Sequence, residues 1–146
     1  MLVEIKIDKD CTEPKITITA DRMTDELRAL AERLSEKEER ILTGWRQNEL
    51  VLIDPYELIR VYSGAGRVFA VTENGEFTLK YRLYELAERL DERMFVRISN
   101  SEIINLKKAV SFDLSISGTI AVKLSNGDRS YVSRRYLGRI RQILDC

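Results

Sequence analysis

Two adjacent arginines, Arg134 and Arg135, in the stretch NGDRSYVSRRYLGRI at residues 126–140, have the most to offer chemically. They follow an alternating run that ends at Tyr131 and Val132, and no acidic residue stands within five positions downstream. A guanidinium is a planar, permanently charged fork that matches phosphate oxygens or the O6/N7 edge of guanine. Held just beyond a strand end, such a pair is aimed at an anionic partner, or else it merely solvates the surface. A second candidate is Ser99-Asn100-Ser101, which interrupts the apolar texture of MFVRISNSEIINL. Three small polar residues make a turn, and Asn100 carries both a donor and an acceptor, as reading a base edge requires.

Other chemistries are missing. The chain has no histidine, which removes His-based triads and His-ligated metal sites. Its two cysteines, Cys11 and Cys146, stand near opposite ends and make no zinc site. With no secretion signal ahead of them they are expected to be reduced thiols. The stretch SGAGR at 63–67 has a Gly-x-Gly but no third glycine and no following Gly-Lys-Ser/Thr. It joins two strands, so it reads as a hairpin loop and not as a phosphate cradle. The acidic residues of ELAERLDER alternate with arginines, as on a solvated helix face. No enzymatic activity, cofactor or metal is expected.

The elements that must position these residues fall into two regions. With 146 residues, 44% hydrophobic and 33% charged, the chain suits one compact soluble domain with a small appendage. No apolar run exceeds four residues, far short of the ~20 that cross a bilayer, so a cytoplasmic protein without membrane insertion is expected. The net charge is zero, yet residues 93–146 hold 10 basic and 4 acidic groups, against 9 and 12 in residues 1–49 and 5 and 8 in residues 50–92. A basic C-terminal third is an electrostatic footprint that net charge conceals.

LVEIKI at 2–7 and KITIT at 15–19 alternate apolar and polar, which predicts two strands. A four-turn helix is predicted next, N-capped by Thr24, with Leu27, Leu30, Ala31, Leu34 and Ile41 near one face. That stripe packs on the strands or forms a homodimer seam. The texture changes at TGWRQNE, residues 43–49, and a boundary is placed there. Beyond it come short strands at 50–53, 58–63, 67–72, 76–81 and 95–99, a helix at 82–92, and a hairpin pairing 119–125 with 129–133. Asn74-Gly75 and Asn126-Gly127 carry the hairpin signal, a type I′ turn at the first. A short amphipathic helix from Arg134 closes the chain. The fold class is mainly β and antiparallel, α+β overall.

LIDPYELIRVYSGAGRVFAVTENGEF, RLDERMFVRISNSEIINLKKA and LSNGDRSYVSRRYLGRI, in that order, resemble the LytTR DNA-binding domain of bacterial transcription regulators. The resemblance covers roughly residues 43–146. It implies an elongated antiparallel β domain of about ten strands with short helices, projecting loops into successive major grooves of double-stranded DNA. It places DNA contacts at Arg67 in the first loop, at Ser99 and Asn100 in the second, and at Arg134 and Arg135 in the third. Arg135 would contact a base or phosphate, with Arg134 in support. Many members carry a histidine where Ser99 stands, and Gly66 replaces a larger polar residue of some relatives. Residues 1–42 form a β-β-α segment too short for the receiver domain that often precedes this module. They are a candidate dimerisation element, and a homodimer on paired or repeated sites is expected. The competing class is a β module that binds another protein through its basic third. An RNA-binding domain is disfavoured for want of an exposed aromatic pair on the strands.

Overall fold

The computed structural model describes residues 1–34, 41–115 and 118–145. Its contacts divide the chain into two units, residues 1–36 and 37–146. In the first, α1 (Asp25–Leu34) begins where the sequence predicts. Thr24 Oγ1 accepts from the Leu27 N–H at 3.2 Å, and Asp25 and Glu26 occupy the positive end of the helix dipole. Residues 35–40, the predicted continuation of the helix, lie outside the described residues, and Ile41 leads into the first strand of the second unit. The two predicted N-terminal strands differ from expectation: 2–7 and 15–19 join neither sheet. Alternation says which face of a strand is apolar but supplies no partner, and a lone two-stranded ribbon is marginal in water.

The second unit begins with β1 (Leu42–Arg46) and β2 (Glu49–Ile53), so the stretch whose texture marked a boundary is itself a strand and a tight turn. A single 3-10 turn, Pro55–Glu57, follows, with Asp54 capping the Tyr56 N–H at 3.0 Å. Next come β3 (Arg60–Gly64), β4 (Arg67–Thr72), β5 (Gly75–Leu79) and α2 (Leu83–Arg89). The chain continues through β6 (Phe95–Ser99), β7 (Glu102–Asn105), a 3-10 turn at Leu106–Lys108 and β8 (Ala109–Asp113). It ends in β9 (Ile120–Leu124), β10 (Arg129–Val132) and α3 (Arg134–Leu144). The strands form a seven-stranded sheet, ordered β2-β1-β5-β4-β3-β7-β6, and a three-stranded sheet, β10-β9-β8. Every pairing is antiparallel, as the short connections require.

The turns redistribute the predicted chemistry. At Asn74-Gly75 only Gly75 has positive φ (113°), and the reversal is centred on Glu73-Asn74 between the paired Thr72 and Gly75. Gly127 likewise follows its turn with φ 91°, its N–H donating to Leu124 O at 2.9 Å. In both hairpins the glycine thus follows the central turn residues instead of occupying them. The type I′ geometry appears instead between β3 and β4, where Ala65 (φ 52°) and Gly66 (φ 75°) both lie in the left-handed region.

Two cores share one wall. Leu58, Val61, Ala70, Phe77, Leu86, Phe95 and Ile103 belong to the first core, under α2. Ile59, Val96, Ile98, Ile104, Val122, Val132 and Ile140 belong to the second, enclosed by the small sheet and α3. The neighbours Phe95/Val96, Ile103/Ile104 and Leu58/Ile59 thus point to opposite cores, because successive strand side chains alternate faces. A strand covered on both faces reads as an apolar run, which is what FV and II are. Arg60 on β3 also links the sheets, its Nε standing 3.2 Å from Asp128 Oδ2 beside β10 and its Nη1 3.7 Å from Glu102.

Candidate nucleic-acid interface

The predicted contacts lie at the 63–67 hairpin, the Ser99-Asn100 corner and the Arg134-Arg135 ending, and backbone hydrogen bonds at and beside these loops join them in series. The Ser63 N–H donates to Ser101 O at 2.8 Å, tying the β3–β4 hairpin to the β6–β7 corner. The Ser133 N–H donates to Ile98 O at 2.9 Å, tying the start of α3 to the other side of that corner. Ser99 and Asn100 therefore stand between the other two loops, on the strands that divide the cores. Arg67, Asn100, Arg134 and Arg135 are exposed, and Ser99 is half-buried.

The corner is held from inside. Ser99 Oγ accepts from the Ser101 N–H at 3.2 Å, so Ser99 shapes the turn. Arg97 lies two residues earlier on the same face of β6 and donates to Ser99 O at 3.1 Å and Asn100 O at 2.7 Å. The Tyr136 hydroxyl donates to Asn100 Oδ1 at 3.0 Å, leaving the amide NH2 of Asn100 as the end without a protein partner among the described residues. The third loop is a helix start: Arg134 and Arg135 are the first residues of α3, and Ser133, the N-cap, makes no side-chain capping bond. Two cations at the positive end of a helix dipole cost about 0.3–1 kcal/mol each. An anion there would relieve that cost and take the free N–H groups of the first turn.

Sequence reasoning missed Arg97, Arg82 and Tyr136 as parts of this face. Arg67, Arg82, Arg97 and Tyr84 line an open groove of about 420 Å³ beside the first loop, whose lining contains no carboxylate. The spacing of Arg97 two positions before Ser99 was a readable signal for its reach into the corner. Arg82 was not readable, because only the folding of α2 against β3 brings it beside Arg67. Tyr136 looked like part of the apolar stripe of α3, and its ring does pack on the second core.

The strands do carry an aromatic pair, but it is not an exposed one. Tyr62 and Phe69 face each other across β3 and β4 with ring centroids 5.1 Å apart. Both are half-buried; the Tyr62 hydroxyl donates to Glu76, and Arg60 lies 4.5 Å over its ring. The bond to Glu76, with burial adding to it, raises the Tyr62 pKa above the ordinary phenol value. The pair is thus engaged within the protein, which leaves it poorly suited as a stacking platform.

Among the described residues no helix is long and apolar enough to cross a membrane. Residues 48–145 match the family model described as "LytTr DNA-binding domain". Two HTH-type transcriptional regulators of Staphylococcus aureus, from strains NCTC 8325 and COL and themselves described as uncharacterized, are 32% identical to this chain over 145 residues. Each match spans 99% of this chain and 98% of the relative. A solved LytTr DNA-binding domain from Bacillus cereus superposes with a TM-score of 0.69 at 21% identity, over 73% of this chain and 97% of that one. The label HTH does not describe the present architecture: strands separate α2 from α3, and no two consecutive helices of the β domain are joined by a turn among the described residues. The family match, the full-length relatives and the shared fold together establish that this chain belongs to the LytTr DNA-binding domain family and serves DNA-binding transcription regulation.

Proposed function

We propose that this chain is a cytoplasmic bacterial regulator without enzymatic activity that reads double-stranded DNA through three loops, with residues 43–146 as the reading domain and residues 1–42 as its dimerisation segment. Arg67 serves the first loop, Ser99 and Asn100 the second, and Arg134 and Arg135 the third. The series of backbone hydrogen bonds that joins these loops is the observation supporting this reading most directly. Loops fixed to one another present their side chains in a constant spacing, which binding successive groove segments demands. Arg135 makes the base contact, Arg134 supports it at phosphate, and Asn100 offers its amide to a base edge. Ser99 orders the corner in addition to any contact of its own. Two copies acting together bind two sites about one or two helical turns apart.

Selection of bound duplexes from a random pool, run for the wild type and for Arg135→Ala, tests the reading. A paired motif enriched by the wild type and lost or relaxed at one position in the variant is the expected result. Affinity should also fall roughly 10³-fold as salt rises from about 50 to about 200 mM if about six phosphates are contacted. Absence of any enriched motif, with weak salt-insensitive binding, overturns sequence-specific recognition and favours a protein partner for the basic third.

A further inference from the structure

Residues 1–34 contain no buried side chain. Val3, Ile5 and Ile7 are 80%, 86% and 86% exposed, and a strand formed by this stretch would carry them on one face with Glu4 and Lys6 on the other. Among the described residues, 2–7 makes no backbone hydrogen bond, so its donors and acceptors are free to accept a strand. The charges say which strand fits. If two copies of this stretch run antiparallel with Ile5 opposite Ile5, then Glu4 faces Lys6 of the other copy, Lys6 faces its Glu4, and Val3 faces Ile7. Centring the pair on Lys6 sets Lys6 against itself and Glu4 against Asp8, whereas centring it on Glu4 sets two carboxylates together. A shift by one residue places charges opposite isoleucines. Pairing within one chain, with Ile7 opposite Ile16, leaves Lys6 and Glu4 facing Thr17 and Thr19 with no charge matched.

We infer that two copies of this chain associate by antiparallel pairing of residues 3–7 about Ile5. This rests on the homodimer reading above and adds its surface and its register. The ribbon so formed carries six branched apolar side chains on one face and two cross-strand ion pairs on the other. A groove of about 670 Å³ in the same unit, lined mainly by apolar side chains such as Ile16, Ile18, Leu27 and Leu34 with Arg22 among them, offers cover for that face. Such cover supplies what a bare two-stranded ribbon lacks.

The test uses the full chain, with self-association measured by sedimentation and DNA affinity measured in parallel. Glu4→Lys and Lys6→Glu alone should each weaken the dimer on the order of tenfold, because each turns two attractive pairs into repulsive ones. The double variant should regain wild-type association. In a Cys11→Ser, Cys146→Ser background, Ile5→Cys should form an intermolecular disulfide under mild oxidation, since directly opposed residues lie within bridging distance. A monomeric wild type at high micromolar concentration overturns the inference, as does a double variant as weak as the singles. Cross-linking through Ile18→Cys but not Ile5→Cys overturns it in favour of pairing through 15–19. Charge-swap rescue in a chain that binds no DNA sustains the interface while removing the DNA reading.

Discussion

The two units of this chain treat similar side chains in opposite ways. In residues 1–34 the isoleucines of the alternating stretches face water, with Ile5 86% exposed. In the β domain, Ile98 and Ile104, also on strands, are wholly buried. The difference is not in local pattern, since LVEIKI is as regular as any strand of the β domain. It lies in what surrounds each strand: β6 and β7 have a core on both faces, and residues 2–7 have none within their own chain. Burial is therefore a property of the assembly that a strand enters and not of its local pattern alone.

That comparison breaks most visibly through the cores. Ile104→Ala should cost about 2–5 kcal/mol of unfolding free energy, measured by urea titration of dilute protein. Ile5→Ala in the same conditions should stay within about 0.5 kcal/mol. Equal losses would show that residues 1–34 fold as part of the β domain. The buried Asn105, whose amide donates to Leu58 O at 2.8 Å and whose Oδ1 accepts from the Lys107 N–H at 2.9 Å, comes next. Asn105→Ala strands both partners and should cost about 1–3 kcal/mol.

On the proposed DNA face, Arg135→Ala should reduce affinity for a selected duplex by about 1–3 kcal/mol, read by titration, with the urea midpoint unchanged. A midpoint that moves equally would assign the arginine to stability. Tyr136→Phe removes only the bond to Asn100 and should weaken DNA binding by about 0.5–1.5 kcal/mol. The smallest effect concerns acid stability. The hydrogen bonds that Arg93 donates hold the Asp91 carboxyl below its usual range. Its folded pKa being depressed, the contribution is full above the unfolded value near 4 and fades as pH falls through the lower folded value. Because this pair is partly exposed, Asp91→Asn should flatten the acid limb of stability by only a few tenths of a kcal/mol. A flattening at neutral pH would refute the assignment.

Much of the β domain is legible because its strands are bounded by turn residues and carry strong alternation or apolar runs. The helix start at Thr24 is legible because capping is a local matter, whereas α3 is legible from its apolar stripe, its N-cap Ser133 making no side-chain bond. The turn types were harder. Asn-Gly names a hairpin, but whether the glycine sits in the turn or just after it depends on the register that the flanking strands adopt, as at Thr72↔Gly75. β1 was missed because TGWR lacks clear alternation; Gly44 serves there because an added Cβ would stand 2.6 Å from the Ile53 side chain. Of the candidate site, the residues at loop tips were readable from type and position. Their mutual ties were not, because Ser63 and Ser101, or Ile98 and Ser133, are distant in sequence and meet only when three hairpins stack.

By itself the sequence determined that this protein is mainly β, has no histidine chemistry, concentrates positive charge in its last third and carries a pair of arginines just beyond a strand. These are properties of residue type and short-range period, which each segment carries wherever it goes. Only the tertiary structure decided that backbone hydrogen bonds tie three separated loops in series, that Arg97 and Tyr136 brace Asn100 between them, and that residues 2–7 find no strand partner among the described residues. Each of those depends on which strands become neighbours, and that choice is made by how two cores fill on either side of one wall.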